Sequence, residues 1–109
     1  MRSDALSFWT DSRGTHFVRT ARRANQSAQA WAAEHVSQIL GSQASTAPAS
    51  GSGDPKVTTI SFTLSGQAST CEVRTFQAPG ESEEAWQAVH DEEVAAIRQA
   101  IIDAGGTIQ

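Results

Sequence analysis

VRTARRANQSAQAWAAEH (Val18–His35) and VRTFQAPGESEEAWQAVH (Val73–His90) agree at eight of eighteen positions when laid over each other without a gap. A 109-residue chain that says nearly the same thing twice is read as two like units, and the shared residues say how each is built. Ser27 (or Asn25 just before it) and Ser82 stand where a helix begins, because such side chains can accept from the free N–H groups of a first turn. The W-x-x-x-H spacing of Trp31/His35 and Trp86/His90 then sets indole and imidazole side by side on one helical face.

The second unit is the clearer one. Ile60, Phe62 and Leu64 alternate with Thr59, Ser61 and Thr63, the period-2 pattern of a strand with one buried face. Cys71, Val73 and Thr75 continue it against Glu72 and Arg74, and SGQA between them is a turn. Pro79 and Gly80 stop the strand. Glu83 and Glu84 sit in the first helical turn, where the helix dipole favours negative charge. Trp86, His90, Val94, Ile97 and Ile101 share one helical face, and Gly105 with Gly106 ends the helix.

The first unit follows the same plan, with a hairpin around DSRG and a helix buried through Ala28, Trp31, Ala32, His35, Val36 and Ile39, ending at Gly41. Upstream of the turn, Leu6, Ser7 and Phe8 match Ile60, Ser61 and Phe62 at an offset of 54, one less than downstream. Leu6 and Phe8 are thereby expected inward, and Ser7 and Trp9 outward.

Residues 1–40 form the first ββα unit, 41–56 a flexible Ser/Ala/Gly/Thr/Pro linker, and 57–109 the second unit. Neither unit alone is large enough to bury a core. The expected fold is one α+β domain: a tandem ββα repeat whose hairpins form a four-stranded antiparallel sheet, two helices on one face, about a pseudo-two-fold axis. The linker leaves open a monomer or a homodimer formed by swapping halves.

Charge is uneven. Residues 1–53 carry five basic and three acidic groups, and residues 54–109 three basic and nine acidic, for a net −4. That balance argues against whole-chain affinity for DNA and leaves room for a local basic patch or an acidic docking face. One cysteine excludes an internal disulfide. No apolar run reaches the length of a signal peptide or a membrane span, so the cytoplasm, of a cell or of an infected host, is the expected location.

Candidate chemistry is thin. The Trp/His pairs lack a third repeated ligand of the kind zinc needs, so they are read as packing residues, with neither metal nor cofactor expected. His16 and Cys71 occupy equivalent inward strand positions, and a Cys–His couple is a possible nucleophile and base. No Gly-rich elbow or oxyanion loop accompanies it, and a small core cysteine is the simpler reading. Walker, GxGxxG, HExxH and CxxC patterns are absent. An enzyme is therefore not expected.

The most informative surface is the outer sheet face of the first unit. Trp9, Arg13, Phe17 and Arg19, with Arg22 and Arg23 beyond the strand, combine aromatics and arginines as recognition surfaces do. In the second unit, Glu83, Glu84, Glu92 and Glu93 offer an acidic helix face.

SEEAW and SAQAW at the helix starts resemble the small ββα DNA-binding modules of tyrosine integrases, where EAW often opens the helix. That resemblance implies DNA reading by the sheet, through Trp9, Arg13, Phe17 and Arg19. Small size, an acidic helix and an open sheet edge also resemble the compact α+β inhibitors of phages and mobile elements, anti-CRISPR proteins among them. That likeness implies a protein partner. A protein-binding module of the kind that inhibits a host complex is the leading expectation, and a nucleic-acid-binding ββα tandem the alternative.

Overall fold

The computed structural model describes residues 2–41 and 54–109. In chain order the elements are β1 (Ser3–Asp11), β2 (Gly14–Arg22), α1 (Ala28–Leu40), β3 (Lys56–Leu64), β4 (Gln67–Thr75), α2 (Glu83–Asp103) and β5 (Thr107–Ile108). The architecture is α+β, one antiparallel sheet with both helices against the same face. Most of the linker expected over 41–56 lies outside the described residues, and Lys56 at its end already belongs to β3.

Local signals act as expected. Ser27 accepts from the Ala30 N–H and Ser82 from the Ala85 N–H, each at 3.1 Å. The six buried residues of α1 are those its periodicity predicts. The second hairpin turns at Ser65 and Gly66, both at positive φ (53° and 79°), the mirror-image turn that suits the right-handed twist of paired strands.

Three expectations need correction. The sheet has five strands, not four, because Gly105, at a positive φ of 89°, turns the chain back so that Thr107 and Ile108 pair with Thr63 and Phe62. Two residues are too few to show a period.

The strand order is β2-β1-β4-β3-β5. A two-fold axis relating the hairpins would bring like strands together, β1 to β3 or β2 to β4. Instead β1 pairs with β4, so the hairpins follow one another head to tail. This seam sets Asp4 opposite Arg74.

The frame of β1 is also shifted by one residue. Ala5, Ser7 and Trp9 face the helices, while Asp4, Leu6 and Phe8 face away. Val18 pairs with Ser7 across the first hairpin and Val73 with Thr58 across the second. The first pair lies eleven positions apart and the second fifteen, so the first hairpin is four residues shorter. The match of Leu6 to Ile60 is therefore not a structural equivalence.

The core lies between helices and sheet. Trp31, Phe62, Ile60, Ile97 and Ile101 are at most 2% exposed, around Val18, Cys71 and Val73. Burying side chains of this size contributes about 1.5–3 kcal/mol each.

Candidate functional site

The repeated Trp and His side chains clasp each helix to its own hairpin. The Trp31 indole N–H donates to the Thr20 carbonyl at 2.9 Å, and that of Trp86 to the Thr75 carbonyl at 2.8 Å. His35 Nδ1 lies 3.1 Å from the Thr20 hydroxyl and Nε2 2.6 Å from the Ser7 hydroxyl. His90 repeats this with Thr75 at 2.8 Å and Thr58 at 2.6 Å. Each imidazole thus bridges both strands of a hairpin from the helix above. Thr20 and Thr75 were visible as an identical pair in the repeat, yet a threonine on a strand carries no distinguishing signal by itself.

Burial holds His35 well below its ordinary value, at about 4, so the ring is neutral, with one nitrogen donating and the other accepting. His90 is lowered too, chiefly by burial, with Glu93 and Asp91 pulling the other way. Cys71 Sγ lies 3.8 Å from His35 Nε2. Burial pushes the thiol up to about 12, which disfavours the nucleophilic thiolate. His16, its expected companion, instead stacks on Trp9 with ring centroids 5.5 Å apart and bonds Asp11 Oδ1 at 2.9 Å. That bond, with the Arg13 backbone N–H, lowers the Asp11 carboxyl. The Cys71–His16 couple is not assembled.

Glu93, expected on an acidic outer face, is fully buried. Its carboxylate accepts from the Ser3 and Thr75 hydroxyls, each at 2.6 Å, and pairs with Arg22. Because Thr75 donates to Glu93, it accepts from His90 Nδ1–H, and His90 Nε2 accepts from Thr58. Hydroxyl, imidazole, hydroxyl and carboxylate form one chain that runs from half-buried Thr58 to fully buried Glu93. Arg22 also donates from Nε to the Gln26 carbonyl at 2.9 Å. Glu93 therefore ties α2 to β1, β2 and β4.

The remaining sequence-predicted site residues are scattered and form no single surface. Trp9 is buried under α1, not outward. Phe17 and Arg19 lie on the helix-free sheet face, where Phe17 meets Phe8 with ring centroids 6.3 Å apart. Arg19 pairs with buried Asp4, its Nε donating to Oδ2 at 2.7 Å. Arg13 and Arg23 are exposed at 79% and 70% of their side chains, the first at the hairpin turn and the second after β2. Glu83, Glu84 and Glu92 are exposed on α2, with Glu83 bonded to Lys56 at 2.6 Å. Lys56 in turn lies 4.5 Å from the centre of the Trp86 ring.

An open groove of about 610 Å³ runs between α1 and α2, lined by Ala33, Val36, Leu40, Ala96 and Ala100, with Glu92 at its border. Among the described residues no group of three His, Cys, Asp or Glu is placed to hold a metal ion, and no helix is long and apolar enough to cross a membrane. The chain matches no protein-family model, and no curated protein or solved structure is significantly similar to it.

Proposed function

We propose that the chain is a non-catalytic protein-binding module, of the kind mobile elements use to inhibit a host complex, and that its partner meets the helix-free face of the sheet. The observation that carries this reading is the division of labour between the two faces. Groups with chemical reactivity, His35, Cys71, His90 and Glu93, are buried on the helix side and hydrogen-bonded to one another or to hydroxyls. The other face offers Phe8 and Phe17 as half-buried aromatics among the polar Thr59, Ser61 and Thr70, a composition suited to contact with protein.

The nucleic-acid alternative has less support. Arg19 and Arg22 are engaged by Asp4 and Glu93, which leaves Arg13 and Arg23 as the exposed arginines of that half, in a chain of net −4. Phosphate binding needs several free cations.

The test compares immobilised wild-type chain with Phe17→Glu in extracts of candidate host cells. A stoichiometric partner retained by the wild type and lost by Phe17→Glu supports the reading, whereas equal retention removes the sheet face from it. DNA retardation at low salt that Arg13→Glu with Arg23→Glu abolishes would favour the alternative.

A further inference from the structure

We propose that the outer edge of β2 takes the exposed start of β3 from a second copy of the chain, head to tail, with Phe17 of one copy opposite Val57 of the next. Among the described residues, no strand pairs with this edge. β2 runs nine residues in continuous register with β1 and has no Pro, and its two charged side chains, Arg19 and Arg22, are engaged by Asp4 and Glu93. Asp11 and Gly14 close a two-residue turn, so they form a hydrogen-bonded pair, and bonding then alternates along the ladder. Even-numbered residues of β2 turn their peptide groups toward β1. Thr15, Phe17, Arg19 and Ala21 turn theirs outward.

The opposite edge of the sheet is half covered. β5 pairs with Phe62 and Thr63, and the Gln109 N–H donates to the Ser61 carbonyl at 2.9 Å. Leu64 and Gln67 close the other two-residue turn, so the same alternation leaves Val57 and Thr59 facing outward, beyond the end of β5.

The chain already makes this joint once, between its own halves. The edge of β4 that corresponds to the outer edge of β2 receives β1, with Leu6 opposite Glu72. Val18 corresponds to Val73, and their cross-strand partners Ser7 and Thr58 correspond to each other. Carried through these anchors, Glu72 maps to Phe17 and Leu6 maps to Val57. The mapped register satisfies two conditions it was not chosen for. Both residues turn their peptide groups outward, as a hydrogen-bonded pair requires, and both side chains lie on the helix-free face. Val57 is 48% exposed, one of three exposed large apolar side chains among the described residues, and Phe17 would cover it.

Such a joint is heterologous, so it does not close at two copies. Pairing stops at Pro55, which has no N–H, and at the start of β5, so it is short and association is weak. Single-cysteine probes read it directly, since Cys71 is buried. A hydrogen-bonded antiparallel pair has Cα atoms about 5.5 Å apart, within disulfide reach. Mixed Phe17→Cys and Val57→Cys chains are expected to cross-link under mild oxidation at least tenfold faster than either alone. In sedimentation velocity the wild-type mass is expected to rise past dimer with concentration. Val57→Lys, at an exposed position, is expected to stay monomeric with an unchanged melting temperature. Homotypic cross-links as fast as the mixed one, a mass that levels off at dimer, or a monomer up to millimolar concentration would each overturn the proposal.

Discussion

Nε2 of His35 and the hydroxyl of Ser7 lie 2.6 Å apart, and both side chains are closed to solvent. A proton added to His35 has nowhere to be solvated, and it removes the acceptor on one side of the clasp. The folded-state value of about 4 against the ordinary 6.5 fixes the sign of the pH dependence. The unfolded chain binds the proton first. Stability is therefore full above pH 6.5 and declines as pH falls from there toward 4, by about 3 kcal/mol from this residue. His90, also lowered, adds in the same direction. Urea melts between pH 7.5 and 4 measure the loss. His35→Gln should flatten it while lowering stability at neutral pH.

The two tryptophans should not cost the same. Trp31 is fully buried and Trp86 only half-buried. Trp31→Ala should remove about 3–5 kcal/mol, enough to threaten a domain whose whole stability is about 5–15 kcal/mol. Trp86→Ala should remove clearly less. Chemical denaturation of both variants gives the comparison directly.

Removing one member of the Arg22–Glu93 pair strands a buried charge. Glu93→Ala is expected to cost about 3–5 kcal/mol, while Arg22→Met with Glu93→Leu should recover much of that. A double-mutant cycle in urea would show strong coupling. Independent effects would mean that the carboxylate is held mainly by Ser3 and Thr75.

Cys71 should be inert in the folded protein. Its thiol is buried and held protonated. A thiol reagent at pH 8 is expected to label the chain only at the rate of global unfolding. Labelling within minutes under native conditions would contradict the burial.

Much of the fold was legible because its signals are local. Ser27 and Ser82 cap their helices, the α1 face follows the helical period, and β3 and β4 alternate as written. The frame of β1 was not legible, because ALSFW has apolar residues on both sides and the choice is made by Ser7, which must reach His35. Glu93 was misread because HDEEV looks like a solvated run, and its burial depends on Arg22, seventy-one positions away. The same pairing takes Arg22 out of the expected recognition surface. Strand order depends on which edges meet, a property that no periodicity encodes.

The Arg22–Glu93 pair joins the two halves of the chain, with the cation in β2 and the carboxylate in α2. Cleaved within the connecting segment, each fragment would lose the partner against which its ion is buried, and neither half alone is large enough to bury a core. The pair thus acts as an internal proof of identity: a half that docks without the matching ion is rejected by the cost of dehydrating the one left behind.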